Sequence, residues 1–488
     1  MAKRAAADGR WARLGLVLLL LCFVALVCMG LDQLSWSDDE GVFVYTAKAV
    51  LQGHSLYSTV WFNYLPGFVR WLQAVFALTG VSLEVGRLSV LFLVVSTLGA
   101  LWWLAQDRLE PWGATAMMAM LVSTPHLVSL SGAVMADVPS AALAACAVVA
   151  AMRSLKGEHD LGWLAVAGLG LAISLWLKPT TAASVLPLVL AALWAPEGRQ
   201  RWRRLLALGG ALGGGLLLML LFEDVAGLGT QFLQSWRASQ GAFSLDLGDN
   251  LHDIWRYFSA DKYDLWHYGF LGLALLGLWS LWRDRRPQAA VATVWLLAAL
   301  VSLAFHAPLY RHHLLQLLFP CAYLGGVGFT TAIDWLRSRD GRPAWGRQGL
   351  AAILLVALLA EMALGLYCSA TRLEAIEAEH VVASEAAMAF LGDHTSPGDT
   401  VITDGHILAL RAGLDIPPET TNTSRMRIRT GQLDDATMIA LAARDRPQAI
   451  VFWEKKLDSL DEFAAWVQAH YDLGVTYSER FRIYVLPG

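Results

Sequence analysis

Groups able to move a proton or hold an anion stand at a few places in this chain, each at the edge of an apolar run. The stretch SWSDDE sets Asp38, Asp39 and Glu40 side by side. It continues through Tyr45, Lys48 and Gly53 to the aromatic segment YSTVWFNYLPG, which contains Trp61 and Tyr64. A second carboxylate, Asp137, lies in GAVMADVPS, and Lys178 stands between Trp176 and Pro179; Arg311, His312 and His313 follow in APLYRHHLLQLL. A carboxylate about 3 Å from a hydroxyl can act as a general base. Two that converge can serve as base and as metal or acceptor ligand, and lysine, arginine and histidine together make a pocket for phosphate or offer imidazole to a metal. Each group also has a plainer use. Ser37 and Glu40 are spaced as a capping box, and Asp137 is placed to cap a helix ahead of Pro139. Lys178 can snorkel or favour the negative end of its helix, and the Arg-His-His run can anchor a helix end at an interface.

What must position these groups is a membrane domain. Of 488 residues 56% are hydrophobic, and the mean hydropathy is +0.47, more apolar surface than a soluble core can hide. Eleven segments approach the ~20 apolar residues that a span needs: 13–31, 88–105, 112–130, 138–152, 162–177, 180–195, 205–222, 266–282, 289–306, 313–333 and 348–368. The positive-inside rule tests that count. Alternate loops collect the basic residues of the N-terminus, then Arg108, Arg153 and Lys156, the run from Arg199 to Arg204, Arg283 to Arg286, and Arg337 to Arg347. Eighteen of 37 basic residues fall there, which places the N-terminus inside. The tail then lies outside with loops 32–87, 131–137, 223–265 and 307–312, and every candidate group falls on that outer face.

The first apolar run lacks an Ala-x-Ala cleavage site and reads as a span rather than a leader. Segment 66–80, with Arg70 and Gln73, reads as a helix lying at the outer interface with Trp61 and Trp71 at headgroup depth. GGALGGG at 209–215 reads as a close helix contact. The five cysteines form no CxxC pair and predict neither disulfide nor zinc cluster. A net charge of -4 without a long basic run gives nucleic acid no footprint. Beyond Ser369 the pattern becomes that of a small α/β domain. Helices are predicted near 374–392, 432–444 and 458–471, with strands at DTVITD, AIVFW and RIYVLP. The reading is thus an α-helical polytopic membrane protein of about eleven spans (1–368) with an extracytoplasmic α/β domain (369–488).

Asp39-Glu40 followed by Tyr45, Lys48 and Gly53 resembles the first outer loop of the C-type-fold membrane glycosyltransferases, nearest to the protein O-mannosyltransferases and the bacterial lipid A aminoarabinose transferase. The likeness extends to RLSVLFLVVSTLGALWWLAQDRLEPWG, the Asp137 loop, the span ending in Lys178-Pro179 and the outer tail. It implies an inverting enzyme of a bacterial inner membrane that takes a hexose or pentose from a polyprenyl phosphate and hands it to a lipid, glycan or protein acceptor. It implies Asp39 as base, Glu40 and Asp137 as carboxylates of the site, and Lys178, Arg311 or His312 facing the donor phosphate. Tyr45, Trp61 and Tyr64 are expected to hold acceptor or sugar, and the tail to shape acceptor access, so that a chain ending near Ala370 still binds donor. The aminoarabinose type carries Glu-Lys before the loop proline, where this chain has Asn63, Tyr64 and Leu65 before Pro66, so the lipid A substrate is not carried over and a divalent metal stays open. A transporter or lipid flippase is the alternative, although transporters place charge at the bilayer midplane between broken helices. A non-catalytic envelope-assembly protein is a further one.

Overall fold

The computed structural model describes residues 2–33, 37, 39–156, 159–194, 198–242, 244–259, 267–338, 345–375, 378–477 and 481–487; Asp38 lies outside them. The chain begins with α1 (Ala2–Cys28), α2 (Asp39–Leu51), α3 (Gly67–Thr79), α4 (Leu83–Val122), α5 (Pro125–Ser131), α6 (Asp137–Arg153) and α7 (Asp160–Leu177). There follow α8 (Val185–Leu193), α9 (Gly198–Leu220), α10 (Val225–Ala242), α11 (Leu247–Ser259), α12 (Tyr268–Asp284), α13 (Arg286–Ala304), α14 (Leu315–Arg337) and α15 (Trp345–Ala375).

Among the described residues eight helices are long and apolar enough to cross a membrane. One of them, α4, has two legs, because Pro111 has no N–H for the helix ladder and Glu110 turns to φ 61°. These legs are the predicted spans 88–105 and 112–130, the second completed by α5. The remaining predicted spans are helical too, including the shorter α8, entered through a 3-10 turn at Pro179–Ser184, and the 17-residue α12. The 368/369 boundary falls inside α15. At 13 residues α3 is too short to span; it buries Phe68, Leu72 and Phe76 and ties Arg70 to Glu223 by two hydrogen bonds of 2.8 and 2.7 Å.

Helices α12 and α14 meet backbone to backbone, since a side chain at Gly277 would run into the Leu324 carbonyl and one at Gly328 into that of Leu273. The close helix contact expected of GGALGGG is present, made with α7, where a side chain at Gly168 would run into the Leu208 carbonyl and the Ala211 side chain. Gly209, Gly210, Gly213 and Gly214 face open space, and only Gly215 of that run's glycines approaches another helix, at Ala172.

Arginines of the predicted inner loops gather at one end of the bundle. Arg108 donates to the carbonyls of Met152 and Arg153 at 2.6 and 3.0 Å, Arg204 to those of Ala191 and Ala192 at 2.9 and 3.1 Å, and Arg285 to that of Arg108 at 2.8 Å. They satisfy carbonyls that helix C-termini leave unpaired.

The tail continues with α16 (Ala378–His394), β1 (Val401–Thr403), α17 (His406–Arg411), α18 (Arg425–Arg429), α19 (Asp435–Asp445), β2 (Ala449–Phe452), α20 (Asp461–His470), β3 (Asp472–Thr476) and β4 (Arg482–Val485). Its sheet has the order β1-β2-β4-β3, with β1 and β2 parallel and the other pairs antiparallel. The predicted elements are all present. Strand β3 was not foreseen, because as an edge strand it is mostly exposed and lacks the apolar alternation of a half-buried one.

The tail is docked on α2. The Tyr45 hydroxyl donates to the Leu414 carbonyl at 2.7 Å, Lys48 pairs with Asp415, Arg411 pairs with Glu84 at 2.7 Å, and Gly41 lies against His406. Burial at this seam pushes the His406 imidazole down to about 4.

Candidate active site

The start of α2 is held by a buried ion pair. Glu40 takes two hydrogen bonds from Arg87, at 2.9 and 2.8 Å, and one from the Val134 amide at 2.9 Å; both charged side chains are 0% exposed. Arg87 also donates to the carbonyls of Leu31 and Gln33 at 2.7 and 2.6 Å. A charge pair taken wholly out of water persists only when its remaining donors and acceptors are satisfied, and here they tie together α2, α4, the segment before α2 and the loop before α6. Glu40 therefore does not close the capping box expected with Ser37. It anchors the start of α2, next to Asp39. Sequence reading passed over Arg87, although an arginine opening an apolar run is a usable sign of such a partner.

Asp39, the first residue of α2, is half-buried, with its amide donating to Ser37 Oγ at 3.3 Å. Among the described residues its carboxylate has no ion-pair partner. Asp137 is buried at the start of α6 and takes Lys178 Nζ on both oxygens at 2.7 Å, with His312 Nε2 3.9 Å away. The ammonium of Lys178 lies 5.7 Å from the ring centre of Tyr64. Burial, then Asp39 and Asp137, push the Tyr64 hydroxyl well above the usual phenol range, so it stays protonated and able to donate. Tyr310 stacks on His312 at 5.5 Å. Its hydroxyl is raised by burial and by Asp39, against the lowering effect of Arg425, Arg429 and Lys456 of the tail. Asp39, Asp137, Lys178, Tyr64, Tyr310 and His312 thus gather in one cluster at the end of the bundle that carries the tail.

Arg311 stands half-buried at the head of the 3-10 turn Arg311–Leu314. Tyr45 and Trp61 lie elsewhere, which corrects their expected place. Tyr45 spends its hydroxyl on the tail, and Trp61 is buried with its indole N–H donating to Gln432 Oε1 at 2.8 Å and the Arg427 guanidinium 5.2 Å above its ring. Both serve the seam, and Trp61 is no headgroup anchor. Beside that seam a cavity of about 490 Å³ is lined by Tyr45, Lys48, His54, Asp415, Glu419 and Arg444 among others.

Asp137, His312 and His313 offer ligand atoms within 4.8 Å of one another, a donor set of the kind zinc takes. Lys178 already occupies both oxygens of Asp137, and His313 Nδ1 accepts the Tyr310 amide at 3.3 Å. A divalent ion would have to displace that ammonium, so the residues do not fit a metal as they stand.

Residues 66–222 match the family described as dolichyl-phosphate-mannose-protein mannosyltransferase. No curated protein matches the chain. Among solved structures, ArnT from Cupriavidus metallidurans bound to undecaprenyl phosphate superposes with a TM-score of 0.64 at 15% identity, over 97% of each chain. Its apo form gives 0.66 at 14% identity, over 98% of each. The archaeal oligosaccharyltransferase AglB from Archaeoglobus fulgidus, in complex with an inhibitory peptide and a dolichol-phosphate, gives 0.52 at 11%, over 90% of this chain and 69% of that one. The chain therefore has the fold of the C-type membrane glycosyltransferases and resembles their mannosyltransferase and ArnT members.

Proposed function

We propose that this chain is an inverting glycosyltransferase that moves a sugar from a polyprenyl-phosphate donor to an acceptor hydroxyl. The observation that carries the reading is the cluster itself: Asp39, whose carboxylate has no ion-pair partner among the described residues, beside a protonated tyrosine and a buried Asp137–Lys178 pair. The likeness to structures holding undecaprenyl phosphate and dolichol-phosphate supports the donor class.

In this mechanism Asp39 takes the acceptor proton as the hydroxyl oxygen bonds to the anomeric carbon from the side opposite the phosphate. The bond from that carbon to the phosphate oxygen breaks in the same step, and its electron pair leaves on polyprenyl phosphate. Donors aimed at that oxygen stabilise the charge where it grows. The lipid tail stays in the bilayer, so no nucleotide-binding fold is needed, and neither GxGxxG nor GxxxxGK[ST] is present. Mass spectrometry of lipids that copurify with the protein should find a polyprenyl phosphate in stoichiometric amount. A stoichiometric lipid of another class would count against the donor assignment.

We further infer that the cluster and tail face the outside of a bacterial inner membrane, on the strength of the arginine-rich loops gathered at the opposite end. Single cysteines in a cysteine-free background, treated with an impermeant thiol reagent on intact cells, should label at Asp246 and not at Gln200. The reverse pattern would invert the topology.

A further inference from the structure

We propose that the cavity between α2 and the tail holds the far end of the acceptor, and that this acceptor is a neutral, hydroxyl-rich saccharide of more than one ring; this rests on the transferase reading above. The cavity, of about 490 Å³, falls within the ~300–1,000 Å³ usual for small-molecule sites. The charged side chains that line it are already spent on one another. Lys48 pairs with Asp415, and Arg444 donates to Asp445 at 2.6 and 2.8 Å and to Glu419 at 3.0 Å. Two cations against three carboxylates leave no surplus positive charge for a phosphate or another anion. A cationic ligand would have to displace an ammonium or a guanidinium already in place.

What remains available is uncharged. Gln52, His54, Thr59 and Thr400 line the same cavity, and among the described residues their side chains make no hydrogen bond or ion pair. Gln52 and His54 are exposed, and Thr59 and Thr400 are half-buried. Together they carry both donors and acceptors, which is what a sugar needs, since each of its hydroxyl groups gives one hydrogen bond and takes others. The first three come from the end of α2 and the loop after it, while Thr400 comes from the tail, where a backbone bridge to Asp415 fixes its place. The cavity is also built on the helix that carries the base. Lys48 lies nine residues beyond Asp39 on α2, about 14 Å at 1.5 Å per residue. A single sugar ring does not bridge that span, and a short oligosaccharide does. The tail thus grips the acceptor at one end and leaves the reacting hydroxyl to Asp39 at the other.

The test is saturation-transfer NMR on the full-length protein in nanodiscs, without donor. The probes are tri- to pentasaccharides of glucose, mannose, galactose and N-acetylglucosamine, with oligogalacturonate as the anionic counterpart. At least one neutral series should receive saturation, and the oligogalacturonate should not. In Gln52→Leu/Thr400→Val the affinity should fall about four- to a hundredfold, two neutral hydrogen bonds at about two- to tenfold each. Because neither side chain is bonded among the described residues, the melting temperature should not move. With a saccharide acceptor the variant should raise KM and leave kcat unchanged. No saturation of any neutral oligosaccharide at millimolar concentration would overturn the proposal, as would binding by the double variant within twofold of wild type. So would a variant impaired only toward the protein fraction of an envelope extract, which would make the cavity a peptide site. A wild type that binds a neutral saccharide at the seam yet releases no polyprenyl phosphate from any lipid-linked sugar would instead remove the transferase reading.

Discussion

Asp39→Asn is expected to lower sugar transfer by about a hundredfold or more, the range that general-base catalysis contributes, while leaving insertion and melting temperature almost unchanged. The reason for so clean a separation is structural. The Asp39 amide, not its carboxylate, makes the bond to Ser37, and the anchoring of α2 belongs to Glu40. What the substitution removes is the proton acceptor, together with a helix N-terminal charge worth ~0.3–1 kcal/mol. KM for the lipid donor should move little, because a base acts on the acceptor and in the transition state. Near-normal turnover in Asp39→Asn would reduce the residue to a helix-start acid and move the base elsewhere in the cluster.

Arg87→Ala is expected to have the largest effect on stability. It strands the Glu40 carboxylate in a fully buried site, and breaking such a pair from one side costs about 3–5 kcal/mol. Since Asp39 precedes Glu40, turnover should fall as well, through misplacement rather than lost chemistry. The double change Glu40→Gln/Arg87→Met should melt well above Arg87→Ala, because it removes both charges together. That non-additivity is the readout of a coupled pair. A melting temperature for Arg87→Ala equal to wild type would mean that the pair holds nothing in place.

The membrane architecture was legible because each span is a long apolar run and the arginines alternate between loops; both signals are local. Most elements of the tail were legible for the same reason, but not β3, whose exposed edge position hides its periodicity, nor the helices α17 and α18, of six and five residues, too short to show one. Of the site, Asp39, Asp137, Lys178, His312 and Tyr64 could be named from charge or aromaticity at span ends. Their partnerships could not, since Glu40 meets a residue 47 positions away and Lys178 one 41 away, and spacing along the chain carries no record of such pairings. Tyr45 and Trp61 show the opposite error. They stand in a telling loop, but the tail covers them, and that docking is visible only once both ends of the chain are placed in space.

The most direct measurement is release of polyprenyl phosphate from a lipid-linked sugar by the purified wild-type protein in detergent, with an extract of envelope acceptors supplied. Release that depends on the acceptor and is largely lost in Asp39→Asn is the expected result. No release from any polyprenyl-phosphate sugar by a well-folded wild type would contradict the assignment as a transferase and return the chain to the transporters or assembly proteins.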